Sequence, residues 1–342
     1  MRAVILAAGF GTRLWPLTED RTKPAIPFLN RPLIAYSVEY LASYGIRDII
    51  VNLHHQPDSI RRALGTGTNL GVNIHYSFEE NILGTSGALD QVRESLTTDD
   101  FVVMNGKVVT SIDLKQVIQI HKDRNALATL VLLPNLSLER FSVVEIDDSG
   151  GIRRFGGPPE PGPDVAERDT TAACQPPPLM FTGIQVLSPR ILDYIPRGVF
   201  SHSTVDVYPK AIEAGETVIG HVATGHWFEM STLGRYLDAS LTFLHQRGGD
   251  VGGARPDQSG IVAGTGSIVE NGAVVSDSVL WQGVTVKAGA RVRRSIIGDH
   301  VTVPATATLD SAVVVRNSIV RTRERGDVVG ENLIVQIDGG KS

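Results

Sequence analysis

Residues 1–34 read MRAVILAAGFGTRLWPLTEDRTKPAIPFLNRPLI, and the fold class follows from how this stretch is parsed. Residues 3–6 are a short apolar run that reads as a buried strand, and the loop Gly9-Phe10-Gly11-Thr12-Arg13 follows at once. Its two glycines leave bare backbone that can approach a phosphate closely. The loop is not a P-loop, because no Gly-Lys-Ser/Thr ending follows. Nor is it the dinucleotide fingerprint, because Leu14 stands where a third glycine belongs. Lys23 lies further on, within Thr22-Lys23-Pro24. Spacing alone leaves two readings of Arg13 and Lys23: a clamp donating charge-assisted hydrogen bonds to a triphosphate, or two surface cations.

From this stretch to about residue 245, strand-like and helix-like segments alternate. Helices are expected at 32–43, 57–64, 87–96, 113–124, 207–214 and 233–246. Strands are expected at 48–53, 72–78, 101–104, 128–133, 142–146, 183–187 and 218–222. Such alternation predicts an α/β domain over residues 1–246 with a mainly parallel, mixed sheet. In FVVMNGKVVTSIDL (101–114) the strand ends at Asn105-Gly106, where parallel sheets gather their ligands. A phosphate site working through a metal would want a carboxylate there, and this chain has Lys107. The proline- and glycine-rich residues 156–178 read as a long surface loop. Cys174, within it, reads as a free thiol rather than a nucleophile.

Past a linker at 247–260 the pattern changes. Val262, Ile268, Val274, Leu280, Val286 and Val292 stand six apart; after a slip of one, Ile297, Val303, Leu309 and Val315 resume the spacing. A six-residue aliphatic period predicts a β-helix over 261–342, with these aliphatics buried inside it. Arg291, Arg293 and Arg294 read as a solvated face.

The composition sets the outer bounds. An apolar fraction of 42% and a charged fraction of 20% describe a globular protein. Thirty-two basic against thirty-seven acidic residues, a formal charge of −5, argue against a nucleic-acid or anionic-membrane partner. The single cysteine excludes an internal disulfide and a cysteine-based zinc site. The opening MRAVILAAGF is too short for a signal peptide, and no apolar run approaches the roughly 20 residues that span a bilayer. A cytoplasmic location is expected.

The stretch 6–34 closely resembles the opening signature of the sugar-1-phosphate nucleotidyltransferases, or NDP-sugar pyrophosphorylases. The resemblance continues through LGTSGAL (83–89), NGKVVTSIDL (105–114), FTGIQVLSP (181–189), VDVYPKAI (205–212) and HWFEMSTLGRYLDAS (226–240). The hexapeptide tail recurs in several branches, including those resembling mannose-1-phosphate guanylyltransferases. The resemblance implies a Rossmann-like nucleotidyltransferase domain followed by a left-handed parallel β-helix. It also implies the reaction of an NTP with a sugar 1-phosphate, giving an NDP-sugar and pyrophosphate by in-line attack on the α-phosphorus. Carried over residue by residue, Arg13 and Lys23 would be catalytic, Arg13 gripping the β- and γ-phosphates and Lys23 acting at the α-phosphate. Leu6, Ala7, Ala8, Gly9, Gly11, Thr12, Arg13 and Asn105 would hold the nucleotide, with Gly84 and Thr85 meeting the base. GDP-mannose is the first expectation for the product, although LGTSGAL is equally compatible with uridylyl transfer.

Three positions depart from the family pattern. The strand-end motif normally holds a Mg²⁺-binding aspartate, and Lys107 takes its place. The second metal carboxylate, normally in Trp-x-Asp-Ile-Gly-Thr, is here Glu229, the one remaining metal-ligand candidate. The sugar-phosphate lysine of a Glu-Lys-Pro motif gives way to Gly156-Gly157-Pro158-Pro159. An ammonium at 107 should weaken Mg²⁺ binding strongly and pair with Glu229. One reading is an enzyme in which Lys107 replaces part of the metal's charge, or in which Mg²⁺ rides largely on the nucleotide. A second is a catalytically weak homologue that binds a nucleotide or NDP-sugar and regulates a partner. A third, an acyltransferase acting through the β-helix, has only His300 as a candidate base. NTP and sugar 1-phosphate are the expected partners, with self-association through the β-helix.

Overall fold

Ala3, Val4 and Ile5 are fully buried, as are Phe101 to Met104, because their two strands lie side by side at the centre of a sheet. The computed structural model describes residues 1–136, 141–157, 176–246 and 260–337. Arg2–Leu6 runs parallel to Phe101–Asn105 on one side and to Asp48–Leu53 on the other, and Asn73–Phe78 extends the parallel half. Leu179–Leu187 then runs antiparallel to Phe101–Asn105 and to Ala128–Pro134. Val143–Ile146, Ile152–Phe155 and Val218–Val222 complete nine strands among the described residues. The parallel half ends its strands along one edge, with Leu6 registered against both Asn52 and Asn105.

Helices cover both faces. Leu33–Ser43, Pro57–Leu64 and Leu114–Asp123 bury Val38, Leu41, Ile60 and Val117 against Ile5, Ile49 and Met104. Asp113 caps the last of these by accepting from the Lys115 amide at 3.0 Å, so the aspartate start read from the sequence is the N-cap. Gly84–Gln91 and Tyr208–Glu213 pack on the opposite face with Phe101 and Leu130. The helix expected at 87–96 starts earlier, at Gly84, and gives way to a 3₁₀ turn at Arg93–Leu96. Its first turn has no apolar pattern because its partners are distant backbone: the Ser86 amide donates to the Ser201 carbonyl at 3.1 Å.

A two-stranded ribbon escaped the sequence reading. Val108–Thr110 pairs antiparallel with Trp227–Glu229, three residues a side, too short for any periodicity to show.

The C-terminal strands stack in parallel on three faces, the arrangement of a β-helix. Val262, Val279, Ile296 and Val313 are successive register partners, as are Val275, Val292 and Leu309, so each coil is 17 residues long. Inward positions therefore follow a six, six, five rhythm rather than an unbroken six. Val275, Leu280, Val286, Val292, Ile297, Val303, Leu309 and Val314 form the interior. Ile268 and Val274, expected inside, are exposed, and Val262 and Val315, also expected inside, face outward, giving up their interior places to Ala263 and Val314. Adjacent aliphatics such as Ile268-Val269 and Val274-Val275 hid the phase, which stacking alone resolves. An antiparallel hairpin, Asp327–Val329 with Asn332–Gln336, covers the end of one face at Ala312–Arg316, leaving no open parallel edge there.

The outward residues Val262, Val279, Ile296 and Val313 are buried too, against Leu233, Tyr236 and Leu237 of the helix Leu233–Gln246 and against Leu14, Leu17, Ile26 and Phe28 of the glycine-loop region. Trp281 donates to the Tyr236 hydroxyl at 2.8 Å, and that hydroxyl donates to the Pro27 carbonyl. Arg21 pairs with Asp299 at 2.6 Å and lies over the Trp281 ring, while Asn30 donates to the Ala263 carbonyl at 2.7 Å. The β-helix and the loop region share one core. Cys174, residues 158–159 and the expected linker up to residue 259 lie outside the described residues.

Candidate active site

The strand ends at Leu6, Asn52 and Asn105 open onto a cavity of about 260 Å³. Its walls include Ala7, Ala8, Gly9 and Gly11 of the glycine loop, Lys23, and Gly84 with Thr85. Lys107 is also on the wall, as are Glu79 and His202. The structure thus brings together most of the residues singled out from sequence: Leu6, Ala7, Ala8, Gly9, Gly11, Lys23, Gly84, Thr85, Asn105 and Lys107. Thr12 and Arg13, at the end of the loop, are exposed and off the wall, and Glu229 lies behind Lys107 rather than on the wall.

Local hydrogen bonds set the loop's shape. The Thr22 hydroxyl donates to the Gly9 carbonyl at 3.2 Å, the Thr18 hydroxyl to the Gly11 carbonyl at 3.3 Å, and the Thr22 amide to the Ser59 hydroxyl at 3.1 Å. Lys23 follows on a 3₁₀ turn and is buried. Burial, then the charge of Lys107, and to a lesser degree Arg13, pull its ammonium down to about 8 against the opposing pull of Glu229.

Two glycines are required by close approach. Gly84 has a φ of +78°, and a Cβ there would sit 2.3 Å from the Ser201 carbonyl oxygen. Gly183, with a φ of +79°, lies against Asn105, whose Nδ2 would be 2.0 Å from a Cβ. The glycine of FTGIQV therefore makes room for the asparagine at the strand end.

Three polar wall residues, Asn52, Glu79 and His202, were missed. Asn52 accepts from the Ala7 amide at 2.6 Å and donates to Glu79 Oε1 at 2.7 Å, while Glu79 Oε2 accepts from the Leu83 amide at 3.0 Å. One buried network thereby joins the start of the glycine loop to the Gly84 segment. A polar residue closing the buried strand 48–53, and a glutamate just after 73–78, were the available signals. His202 had none; it arrives from a remote segment, where its Nδ1 lies 3.4 Å from the Thr85 amide and hydroxyl.

Lys107 and Glu229 meet as expected. The ribbon registers Glu229 beside Val108, and Lys107 Nζ forms an ion pair with Glu229 Oε1. Arg235 Nη1 approaches Oε2 at 3.7 Å. Glu229 is only 4% exposed, and neither oxygen accepts a hydrogen bond of ordinary geometry, so charge is what compensates it. Burial pushes its carboxyl up, but the Lys107 ammonium, with smaller help from the Ser231 hydroxyl and the Lys23 charge, holds it below the usual glutamate value.

Residues 2–246 match the family model described as nucleotidyl transferase. The chain belongs to the nucleotidyl transferase family. Residues 242–336 match a second model, the GlmU-like C-terminal hexapeptide. A UTP–glucose-1-phosphate uridylyltransferase of Synechocystis sp. is 33% identical over 251 residues, covering 70% of this chain and 61% of the relative. The chain thus spans about three fifths of that relative's length. A mannose-1-phosphate guanylyltransferase of Mycobacterium tuberculosis is 28% identical over 285 residues, covering 83% and 74%. A Bacillus anthracis crystal structure described as a glucose-1-phosphate thymidylyltransferase superposes with a TM-score of 0.59 at 22% identity, over 73% of this chain and 96% of that one. That likeness bears on the fold alone.

The residues present do not fit a protein-bound Mg²⁺. Such an ion takes octahedral oxygen ligands and is held through carboxylates. Here the one carboxylate at the position is flanked by Lys107 and Arg235. Among the described residues no group of three or more His, Cys, Asp or Glu is placed to hold a metal. Nor, among them, is any helix long and apolar enough to cross a membrane. His300 stands exposed on a β-helix turn with a φ of +57°.

Proposed function

We propose that this chain transfers a nucleotidyl group from an NTP to a sugar 1-phosphate, releasing pyrophosphate, with GTP and mannose 1-phosphate as first-choice substrates. The observation that carries this reading is the cavity at the parallel strand ends, bounded by the glycine loop, Lys23 and the Gly84 turn. Its exposed loop end, with Arg13, takes the β- and γ-phosphates, and Lys23 faces the α-phosphate. An oxygen of the sugar phosphate attacks the α-phosphorus; the new O–P bond forms as the bond to the β-phosphate oxygen breaks, and the electron pair leaves on pyrophosphate. The chain's contribution is positioning and neutralising that charge. Mg²⁺ enters as the nucleotide's own counter-ion, and a reaction on NTPs places the protein in the cytoplasm.

Glu79 supports guanine. It is buried on the cavity wall, and each carboxylate oxygen, after accepting from Asn52 or Leu83, keeps a lone pair. Guanine offers two neighbouring N–H donors to such a carboxylate. Uracil offers one N–H between two carbonyls, whose oxygens would be repelled. The match to the Mycobacterium tuberculosis guanylyltransferase, which covers more of this chain than the uridylyltransferase match does, points the same way. The test is pyrophosphate release across a panel of NTPs and sugar 1-phosphates, with calorimetric binding alongside. GTP should bind at least about tenfold more tightly than UTP, and Glu79→Gln should erode that preference. Equal binding of both would overturn the base assignment. The Lys107–Glu229 pair favours a second reading, a regulatory homologue, whose signature is GTP binding without turnover.

Lys23 adds a pH signature. If only its ammonium form holds the triphosphate, the apparent dissociation constant should rise roughly tenfold between pH 7 and pH 9, as Lys23 titrates near 8. The nucleotide-free fold should respond oppositely. Between about 8 and the unfolded value of 10.5 the unfolded chain holds the extra proton, so the Lys23 contribution to stability rises with pH through that window. Titrations of GTP at several pH values, with Lys23→Gln as the pH-insensitive control, check the first effect.

The exposed Ile268, Val269 and Val274 of the first coil offer an apolar face for self-association, which light scattering in solution would measure.

A further inference from the structure

We propose that Lys107, anchored on Glu229, supplies at the phosphate end of the cavity the charge that a divalent cation held by two carboxylates would otherwise bring. The nucleotide's phosphates are then gripped by the protein's own side chains, with no metal ligated by the protein. The inference rests on reading the cavity as a nucleotide site and goes beyond it by assigning the source of positive charge.

The formal charges carry the argument. Arg13, Lys23, Lys107 and Glu229 together bear two positive charges. With a carboxylate at 107 the same four positions would be neutral, and a bound dication would bring them back to two. The Arg235 charge is the same in both cases. Exchanging the residue at 107 therefore removes the metal's ligand and replaces the metal's charge in one step.

The geometry makes this ammonium a fixed charge rather than a wandering one. Lys107 follows Gly106, whose amide donates to the Leu6 carbonyl at 3.0 Å, and its own carbonyl accepts from the Met230 amide at 3.5 Å. Its side chain is 28% exposed, facing the cavity, while its partner Glu229 is buried on the ribbon behind it. An ammonium has three donors. One directed at Glu229 leaves two for phosphate oxygens, and Glu229, already facing Lys107 and Arg235, is not open to a second cation.

The test uses the full chain in two arms. In the first, GTP and UTP are titrated calorimetrically in EDTA and in MgCl₂. Wild-type affinity should differ only a few-fold between the two. Lys107→Asp should weaken binding in EDTA about 100-fold or more and recover with Mg²⁺; Lys107→Met, which removes the charge without adding a ligand, should weaken binding and not recover. In the second arm, free Mn²⁺ is followed by electron paramagnetic resonance on nucleotide-free protein, with circular dichroism to confirm that each variant is folded. Wild type should show no saturable Mn²⁺ site, and Lys107→Asp should show one. Nucleotide binding that vanishes in EDTA for wild type, or a wild-type Mn²⁺ site abolished by Glu229→Gln, would overturn the inference. So would a folded Lys107→Asp that gains no Mn²⁺ site. Failure of wild type to bind any nucleotide in either buffer sinks the nucleotide reading instead, and the Mn²⁺ arm still decides the charge exchange.

Discussion

Lys23→Met is expected to lower kcat/KM by about 10²- to 10³-fold, the range seen when one preorganised donor to a developing oxyanion is removed. The substitution keeps the length and apolar stem of a buried side chain, so the turn Lys23–Ala25 and the packing against Gly11 should survive. What disappears is a cation at the phosphate end of the cavity, where charge moves onto the leaving pyrophosphate. The nucleotide-free protein should melt no earlier than wild type, because burial and the nearby Lys107 already oppose the Lys23 charge. Steady-state pyrophosphate release and a thermal melt in the absence of nucleotide read the two effects separately. Unchanged kcat/KM would remove Lys23 from the reaction. If the chain binds nucleotide without turnover, the same variant should instead show GTP binding weakened by about tenfold or more.

Trp281→Ala should cost about 3–5 kcal/mol of stability, the range for truncating a large buried aromatic. Trp281 is 2% exposed, donates to Tyr236, and carries Arg21 over its ring. Those partners lead back to the glycine-loop region through the Tyr236 bond to Pro27 and through Arg21 itself, whose charge is paired with Asp299. Denaturant unfolding should therefore show one cooperative transition that the substitution shifts as a whole, and GTP affinity should fall although Trp281 is not on the cavity wall. Two separate transitions, with only the β-helix destabilised, would show that the shared core does not couple the domains.

The sequence was most informative where function requires unusual local chemistry. The glycine loop and Asn105-Gly106-Lys107 follow strand ends directly, Lys23 and LGTSGAL lie on turns and a helix start further along, and Gly9, Gly11, Lys23, Gly84, Thr85, Asn105 and Lys107 converge on the one cavity proposed to hold a nucleotide. It was least informative where a position owes its role to distant backbone. His202 reaches the Thr85 turn from residues far along the chain, and Glu79 becomes part of the wall through Asn52. Neither contact leaves a local mark. The β-helix shows the same division: its six-residue period was visible, but paired aliphatics such as Val274-Val275 left the phase open until stacking put Val275 over Val292.

By itself the sequence determined most of the order of strands and helices, the presence of a hexapeptide tail and the lysine at 107, just past a strand end, because each depends on residue type at short range. Only the tertiary structure decided what that lysine means locally. The three-residue ribbon Val108–Thr110 with Trp227–Glu229 joins segments more than a hundred residues apart and buries Glu229 against Lys107. Likewise, only the fold turned Val262, Val279, Ile296 and Val313 outward onto the glycine-loop region. A 17-residue coil sets which side of a strand faces its neighbour, and no single stretch of chain carries that information.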